Sequence, residues 1–357
     1  MNKKKINQKY IADTLNLSVS TVSKALRGGY ADINEETQAR VLSLATQLGY
    51  SHCGGSSSFS MIGAEIEQEK PRTYMIGVLI LRKMHEWQHT NYFAGMSEKC
   101  AKLNVSLVLH YVNEENINEF LAGDQQLPAM RNGELSGVIL VNHWPEEVVA
   151  NIALRFPCVS IQYPYQSAKM DVIGVDEMNG MEKLVELLYS QGHRRVGFFG
   201  NCGSLYSARM RFSGYITALA KMGIEYDGDN VIDLAPEYIE DKEITLTGQV
   251  ESAISRMAAG VTAWICSGDW VGYLLCRGLI DRGYCIAKDI SVVGFDDSED
   301  NTLGCPKLTS ITVPSLQIGA EALRRVINRM RHPSSPPLKV MLPCKLINAN
   351  TSSDLKR

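Results

Sequence analysis

The sequence predicts a small all-α unit at the amino end, joined by a polar linker to an α/β region of two doubly wound halves, and three observations lead there. The first fifty residues place apolar side chains at helical spacing between capping residues and glycines. Residues 51–72 then change to Gly54-Gly55-Ser56-Ser57-Ser58 and a polar stretch ending near Pro71, the composition of a linker. From Tyr74 onward, short Val/Ile-rich runs alternate with amphipathic stretches, the pattern of buried parallel strands connected by helices. At 357 residues with 45% hydrophobic side chains, the chain is long enough for two or three domains with substantial cores.

In the amino-terminal unit (residues 1–50), Ile6, Tyr10, Ile11 and Leu15 share one helical face. Ser18 is placed to cap a second helix carrying Val19, Val22, Ala25 and Leu26, and Asn34 a third carrying Val41, Leu44, Ala45 and Leu48. Gly28-Gly29 and Gly49 end the second and third helices. Lys3, Lys4, Lys5, Lys9, Lys24, Arg27 and Arg40 outnumber Asp13, Asp32, Glu35 and Glu36, although the whole chain carries a formal net charge of -3. That reversal of sign points to a nucleic-acid contact confined to one end. Ile11 to Arg27 reads as helix, tight turn and second helix, with Ala12 and Ser18 small enough for the helices to approach. Ser20, Thr21, Ser23 and Lys24 lie on the outer face of the second helix, available to phosphates and base edges in a major groove. An ordinary three-helix interaction module is the competing reading.

Strand-like runs YMIGVLIL, VSLVLHYV, SGVILVN and PCVSIQY make up a first series. DVIGV, RRVGFFG, NVIDL, VTAWICS and ISVVGFDD make up a second. Ligands of such architectures lie beyond the carboxyl ends of the strands, in the crevice. Nine single cysteines without a CxxC pair suit reduced thiols in a cytoplasmic protein. Neither a signal-peptide h-region nor a membrane-length apolar stretch is present, so membrane partners are not expected.

The run VSTVSKAL, followed by NEETQARVLSLATQLGY, and the later QGHRRVGFFG and DISVVGFDD together resemble the lactose-repressor/galactose-repressor (LacI/GalR) family of transcription regulators over nearly the whole chain. The resemblance implies a helix-turn-helix domain followed by a type I periplasmic-binding-protein-like sensor of two subdomains. It further implies a homodimer on a pseudo-palindromic operator, acting as a repressor controlled by a small polar metabolite, a carbohydrate first among candidates. On the matching positions, Val19 and Ser20 take the family's main base-reading pair and Lys24 a further base contact. Ser18, Thr21 and Ser23 take phosphate-contacting positions, and Arg27 joins this DNA-binding set. The resemblance implies a hinge helix with minor-groove leucines after Gly49-Tyr50, but Ser51-His52-Cys53-Gly54-Gly55 stands there instead, which leaves Met61-Ile62 and Ile66, beyond the Gly/Ser run, as the alternative hinge.

For the effector, SARMRFSGY places the family's ligand arginine on Arg211 and VGFDD its ligand aspartate on Asp296, a fork of donors beside acceptors that suits hydroxyls or a carboxylate. An interdomain salt bridge is the competing reading of both. The loop after YMIGVLIL contributes Trp87, Gln88 and His89, and CSGDW contributes Asp269, with Gly268 where the family commonly has an Asn. Subdomain one is expected to comprise about 73–162 and 313–332, and subdomain two about 163–312 and 333–357. The crossovers then fall near Tyr163, Val313 and His332, and LKVMLPCKLI adds a strand to subdomain two.

One motif points elsewhere. His85-Glu86-Trp87-Gln88-His89 matches the HExxH zinc-hydrolase signature, but it directly follows a buried strand and no clear third ligand comes after it. GxSxG, GxxxxGK[ST] and GxGxxG patterns are missing, so no enzyme activity, metal or cofactor is expected. A metabolite-binding protein that no longer reads DNA is the other alternative.

Overall fold

The computed structural model describes residues 7–27, 33–47, 73–82, 89–203, 205–235, 246–298 and 303–355. It falls into two units, Met1–Gln68 and Glu69–Arg357. The expected linker, 51–72, lies outside the described residues.

In the first unit, α1 (Gln8–Leu15), α2 (Val19–Arg27) and α3 (Glu35–Gln47) enclose a core of Ile11, Ala12, Val22, Ala25, Val41 and Ala45. Each helix begins where a side chain satisfies one of its unpaired N–H groups. Asn7 Oδ1 accepts from Tyr10 N at 2.9 Å, Ser18 Oγ from Thr21 N at 3.0 Å, and Asn34 Oδ1 from Thr37 N at 2.8 Å. Asn16, at φ 55°, closes α1 in the left-handed conformation and lets Leu17 N reach Ala12 O at 2.9 Å, which forms the tight turn into α2.

In the second unit, β1 (Tyr74–Arg82), β2 (Val105–Asn113), β3 (Gly137–Val141), β4 (Cys158–Ile161), β5 (Asp171–Val175) and β11 (Lys339–Leu342) form a parallel sheet in the order β11-β5-β4-β3-β1-β2. A second parallel sheet, β7-β6-β8-β9, consists of β6 (Val196–Gly200), β7 (Val231–Asp233), β8 (Ala263–Cys266) and β9 (Ser291–Val293). β10 (Ser310–Thr312) and β12 (Lys345–Ile347) pair antiparallel. Every residue of β3, β4, β5, β6, β8 and β9 is buried, which explains their continuous apolar runs. Helices cover both faces. Among them are α4 (His89–Leu103), α7 (Glu146–Arg155), α8 (Glu177–Ser190), α9 (Tyr206–Lys221), α10 (Thr247–Ala258), α11 (Asp269–Ile280) and α12 (Ser315–Arg331).

Sheet membership moves two of the three expected crossovers. β5 pairs with β4 in the first sheet, and the segment 338–347 is two strands, because β11 pairs with β5 while β12 pairs with β10 beyond Pro343. The chain therefore passes between subdomains near Asp176, Val313 and Pro343, where Tyr163, Val313 and His332 were expected. The reason is a buried ionic cluster at the start of β5. Asp171, fully buried, accepts from Arg325 Nε and Nη2 at 3.2 and 3.0 Å, from Arg329 Nη2, and from the Leu338 N–H at 2.7 Å. A strand whose first residue holds α12 and the chain entering β11 belongs with them, and nothing in the Val/Ile content of DVIGV reveals it.

α4 and α12 touch backbone to backbone. A Cβ on Gly95 would stand 1.9 Å from Leu316 O, and one on Gly319 2.0 Å from Tyr92 O. Gly319→Ala is expected to cost about 1–3 kcal/mol of stability through overpacking. Gly248→Ala in α10, where nothing lies within 4 Å, is expected to cost none. Urea-unfolding midpoints of the two variants check this.

Candidate functional site

On α2, the buried residues Val22 and Ala25 face α1 and α3, so the opposite surface is left outward. Ser18, Val19 and Ser20 are exposed, with Val19 45% accessible, and Thr21, Ser23 and Lys24 are half-buried. Ser18 has a second task, since its hydroxyl caps α2 and pairs with the Thr21 hydroxyl at 2.8 Å. Arg27 ends α2, and its side chain lies outside the described residues.

In the second unit, Arg211 projects from α9 and is buried, 8% accessible. Nε donates to Glu177 Oε2 at 2.7 Å, Nη1 to Ser267 O at 2.7 Å and Asp296 Oδ2 at 3.2 Å, and Nη2 to Asp296 Oδ1 at 2.7 Å. The guanidinium also stacks 3.9 Å over the buried Phe295 ring. Burial works against its charge, but Asp296 and Glu177 outweigh burial and hold it protonated. The Glu177 carboxyl is raised from its ordinary value, first by burial, with Arg211 pulling it back. Asp296 itself sits at φ 109°, a conformation that costs a non-glycine residue on the order of 1–3 kcal/mol, and its N–H donates to Ile311 O at 2.8 Å.

Whereas the competing sequence reading was a salt bridge between subdomains, Arg211 and Asp296 thus form an ion pair that lies within one subdomain. Glu177 completes it, and sequence reasoning missed it: it is the first residue of α8, directly after the crossover, which the sequence had placed elsewhere. Gly268, where an amide was expected, leaves room. A Cβ there would stand 3.2 Å from Asp296 Oδ2 and 3.6 Å from Arg211 Nη1.

Asp269 is corrected from ligand contact to scaffold. It is 2% accessible, with Oδ1 accepting from Ser310 Oγ at 2.7 Å and Oδ2 from Ser298 N at 2.6 Å, so both oxygens are turned into the protein. Trp87 and Gln88 lie outside the described residues, as do His85 and Glu86. His89 opens α4, but its side chain lies outside them too.

Beyond the carboxyl ends of β3 and β4, Asn142 and Gln162 adopt positive φ of 71° and 69° and turn the chain. Asn142 Nδ2 donates to Leu81 O at 2.7 Å and Gln162 Nε2 to Tyr92 Oη at 3.1 Å. The loops that follow bring His143, Glu146 and Tyr163–Gln166 to face Leu205, Tyr206 and Arg209 of the other subdomain around a cavity of about 390 Å³. None of these cavity residues was singled out from sequence as a site residue, Tyr163 being named only as an expected crossover; the aromatic run Tyr163-Pro164-Tyr165 directly after a strand was the available signal.

Residues 185–352 match the periplasmic binding protein-like domain family. The ribose operon repressor of Haemophilus influenzae is 22% identical over 331 residues, spanning 91% of this chain and 92% of that protein. The HTH-type transcriptional repressor CytR of Escherichia coli K12 is 21% identical over 342 residues, 95% of this chain and 94% of its own. The lac repressor dimer bound to operator and the anti-inducer ONPF superposes with a TM-score of 0.61 at 19% identity, covering 98% of this chain and 100% of that one. A three-helix head followed by a periplasmic-binding-protein-like α/β domain is the architecture that this chain shares with that repressor. Over more than nine-tenths of its length the chain is thus similar to transcriptional repressors, and it shares the fold of the lac repressor.

Burial, the largest influence, pushes the Asp269 carboxyl up to about 8, with the Asp296 charge adding to it. A carboxyl whose folded value is raised binds its proton more tightly in the folded state. Its contribution to stability therefore declines as pH rises from about 4 to 8. Asp269→Asn removes that decline, so the stability lost on substitution is expected to be greater at pH 5 than at pH 9, as read by urea midpoints at the two pH values.

Proposed function

We propose that this protein is a homodimeric transcription repressor of the cytoplasm, whose hold on operator DNA is set by a hydroxyl-bearing metabolite bound between the two sensor subdomains. The observation that carries it is the outward face of α2. Val19 and Ser20 stand exposed at the amino end of a capped helix with Lys24 one turn on, the placement a recognition helix needs to reach base edges and phosphates in a major groove. The effector assignment rests on Arg211 and Asp296, with Trp87, Gln88 and His89 as proposed further contacts. Ligand hydroxyls donating to Asp296 or Glu177 would rearrange a cluster anchored at two crossovers. Glu177 follows the first, near Asp176, and Asp296 bridges to Thr312 beside the second, near Val313. A ligand bound there with different affinity in two arrangements of the subdomains shifts the population between them, and only such a difference lets it regulate.

Genomic fragments enriched on the full-length protein, titrated by fluorescence anisotropy over a salt series, test the DNA reading. Lys24→Ala is expected to weaken binding, to lower the salt slope by about 1 and, like Ser20→Ala, to relax base preference at the position it reads. Salt-insensitive or absent binding would favour a metabolite-binding protein without operator contact. Arg211→Lys is expected to keep operator binding while losing the response to metabolites, measured in the same assay.

A further inference from the structure

We infer that the effector carries a protonated amine beside its hydroxyls and that Glu177 is the group that receives this amine, an inference that rests on the effector reading of the Arg211 cluster. The members of that cluster all follow the carboxyl ends of strands, where a crevice ligand is met. Glu177 stands two residues past β5, Ser267 directly past β8 and Asp296 three residues past β9, with Arg211 on the helix after β6. One guanidinium there serves two carboxylates. Asp296 takes bonds from both Nη1 and Nη2, while Glu177 takes one, from Nε to its Oε2. Glu177 Oε1 has no partner among the described residues. The cluster is therefore one positive charge short, and Glu177, only 4% accessible, is its least compensated carboxylate.

Among the described residues, no neighbouring cation makes up the shortfall. Lys307 is committed to Asp297, 3.3 Å from its Oδ1. Lys183, on the same helix as Glu177, donates to the Cys344 carbonyl at 2.7 Å and so is turned to the third crossover. Arg209 lies two residues before Arg211 on α9, about 200° around the helix axis, and serves the opposite face, with Nη1 donating to Gly203 O at 3.1 Å. The partial positive charge at the amino end of α8 is shared with Asp176, whose Oδ1 accepts from Asn179 N at 3.1 Å. Asp269, pushed up to about 8, holds its proton through neutral pH and adds no full charge of its own. A ligand ammonium supplies both things that Glu177 lacks, a compensating charge and a donor for Oε1. A ligand carboxylate, which the sequence also allowed, meets a guanidinium already bonded through all three nitrogens and two carboxylates that repel it.

Two measurements on the full-length protein test this. Without ligand, Glu177→Gln keeps an oxygen for Arg211 Nε while removing the surplus charge, so its urea midpoint at neutral pH is expected to rise above that of the unsubstituted protein. Thermal unfolding with glucosamine, N-acetylglucosamine, glucose and glucuronate then compares one ring bearing a charged amine, a capped amine, no amine and an acid, since a ligand of the folded state raises the melting temperature. Glucosamine is expected to stabilise most and glucuronate least. By titration calorimetry its affinity is expected to fall roughly ten- to hundredfold in Glu177→Gln, to the level of glucose, and to fall less in Glu177→Asp, which keeps the charge. Glucosamine bound no better than glucose, affinity unchanged in Glu177→Gln, or a lowered midpoint in that variant would overturn the amine assignment. Failure of the effector reading would show separately, as metabolite responses of operator binding that persist in Arg211→Lys.

Discussion

A single guanidinium, that of Arg211, is buried between two carboxylates, and the geometry of the sensor depends on keeping it satisfied. Taking such ions out of water costs on the order of several kcal/mol each, and only close, well-aligned partners offset this. Glu177, Asp296 and the Ser267 carbonyl supply them, each from a different part of the second subdomain: the first turn of α8, the loop after β9 and the loop after β8. The cluster therefore fixes where those elements meet. Its strained member, Asp296, is held in place because its backbone bonds to the segment leading into the second crossover. Asp269, locked by Ser310 and Ser298, braces the same loop from behind.

The crossovers give this local arrangement its reach. Near Pro343, Lys183 Nζ donates to the Cys344 carbonyl at 2.7 Å, so α8, which carries Glu177, is tied to the third crossover as well. In the first subdomain, α12 leaves the second crossover and immediately meets α4 with backbone against backbone at Gly95 and Gly319. Close-packed contacts of this kind transmit displacement because there is no soft side chain between the helices to absorb it. Asp171, with Arg325 and Arg329, anchors the far end of α12 to β5 and to the chain entering β11. These contacts tie the first sheet, α4 and α12 to one another.

The amino-terminal head follows a simpler logic. Among the described residues the core is made of small and medium apolar side chains and is helped by caps, of which Asn7, Ser18 and Asn34 each supply one. Ser18 is exposed yet fixed by folding, since its hydroxyl orders the first turn of α2.

The sequence by itself determined the alternation of buried strands and amphipathic helices, the three-helix head with its Ser18 and Asn34 caps, and the choice of Arg211 and Asp296 as residues to watch. These follow from periodicity, capping chemistry and motifs, which are local. Only the tertiary structure decided which sheet each strand joins, because β5 and β11 read as generic apolar strands until Asp171 is seen to bind Arg325 and Arg329 across more than 150 residues of chain. It likewise decided that Glu177 shares Arg211, that Asp269 turns inward, and that His143, Tyr163 and Arg209 surround one cavity. Such facts depend on distances between segments far apart in the chain, and a one-dimensional pattern of residue types carries no measure of them.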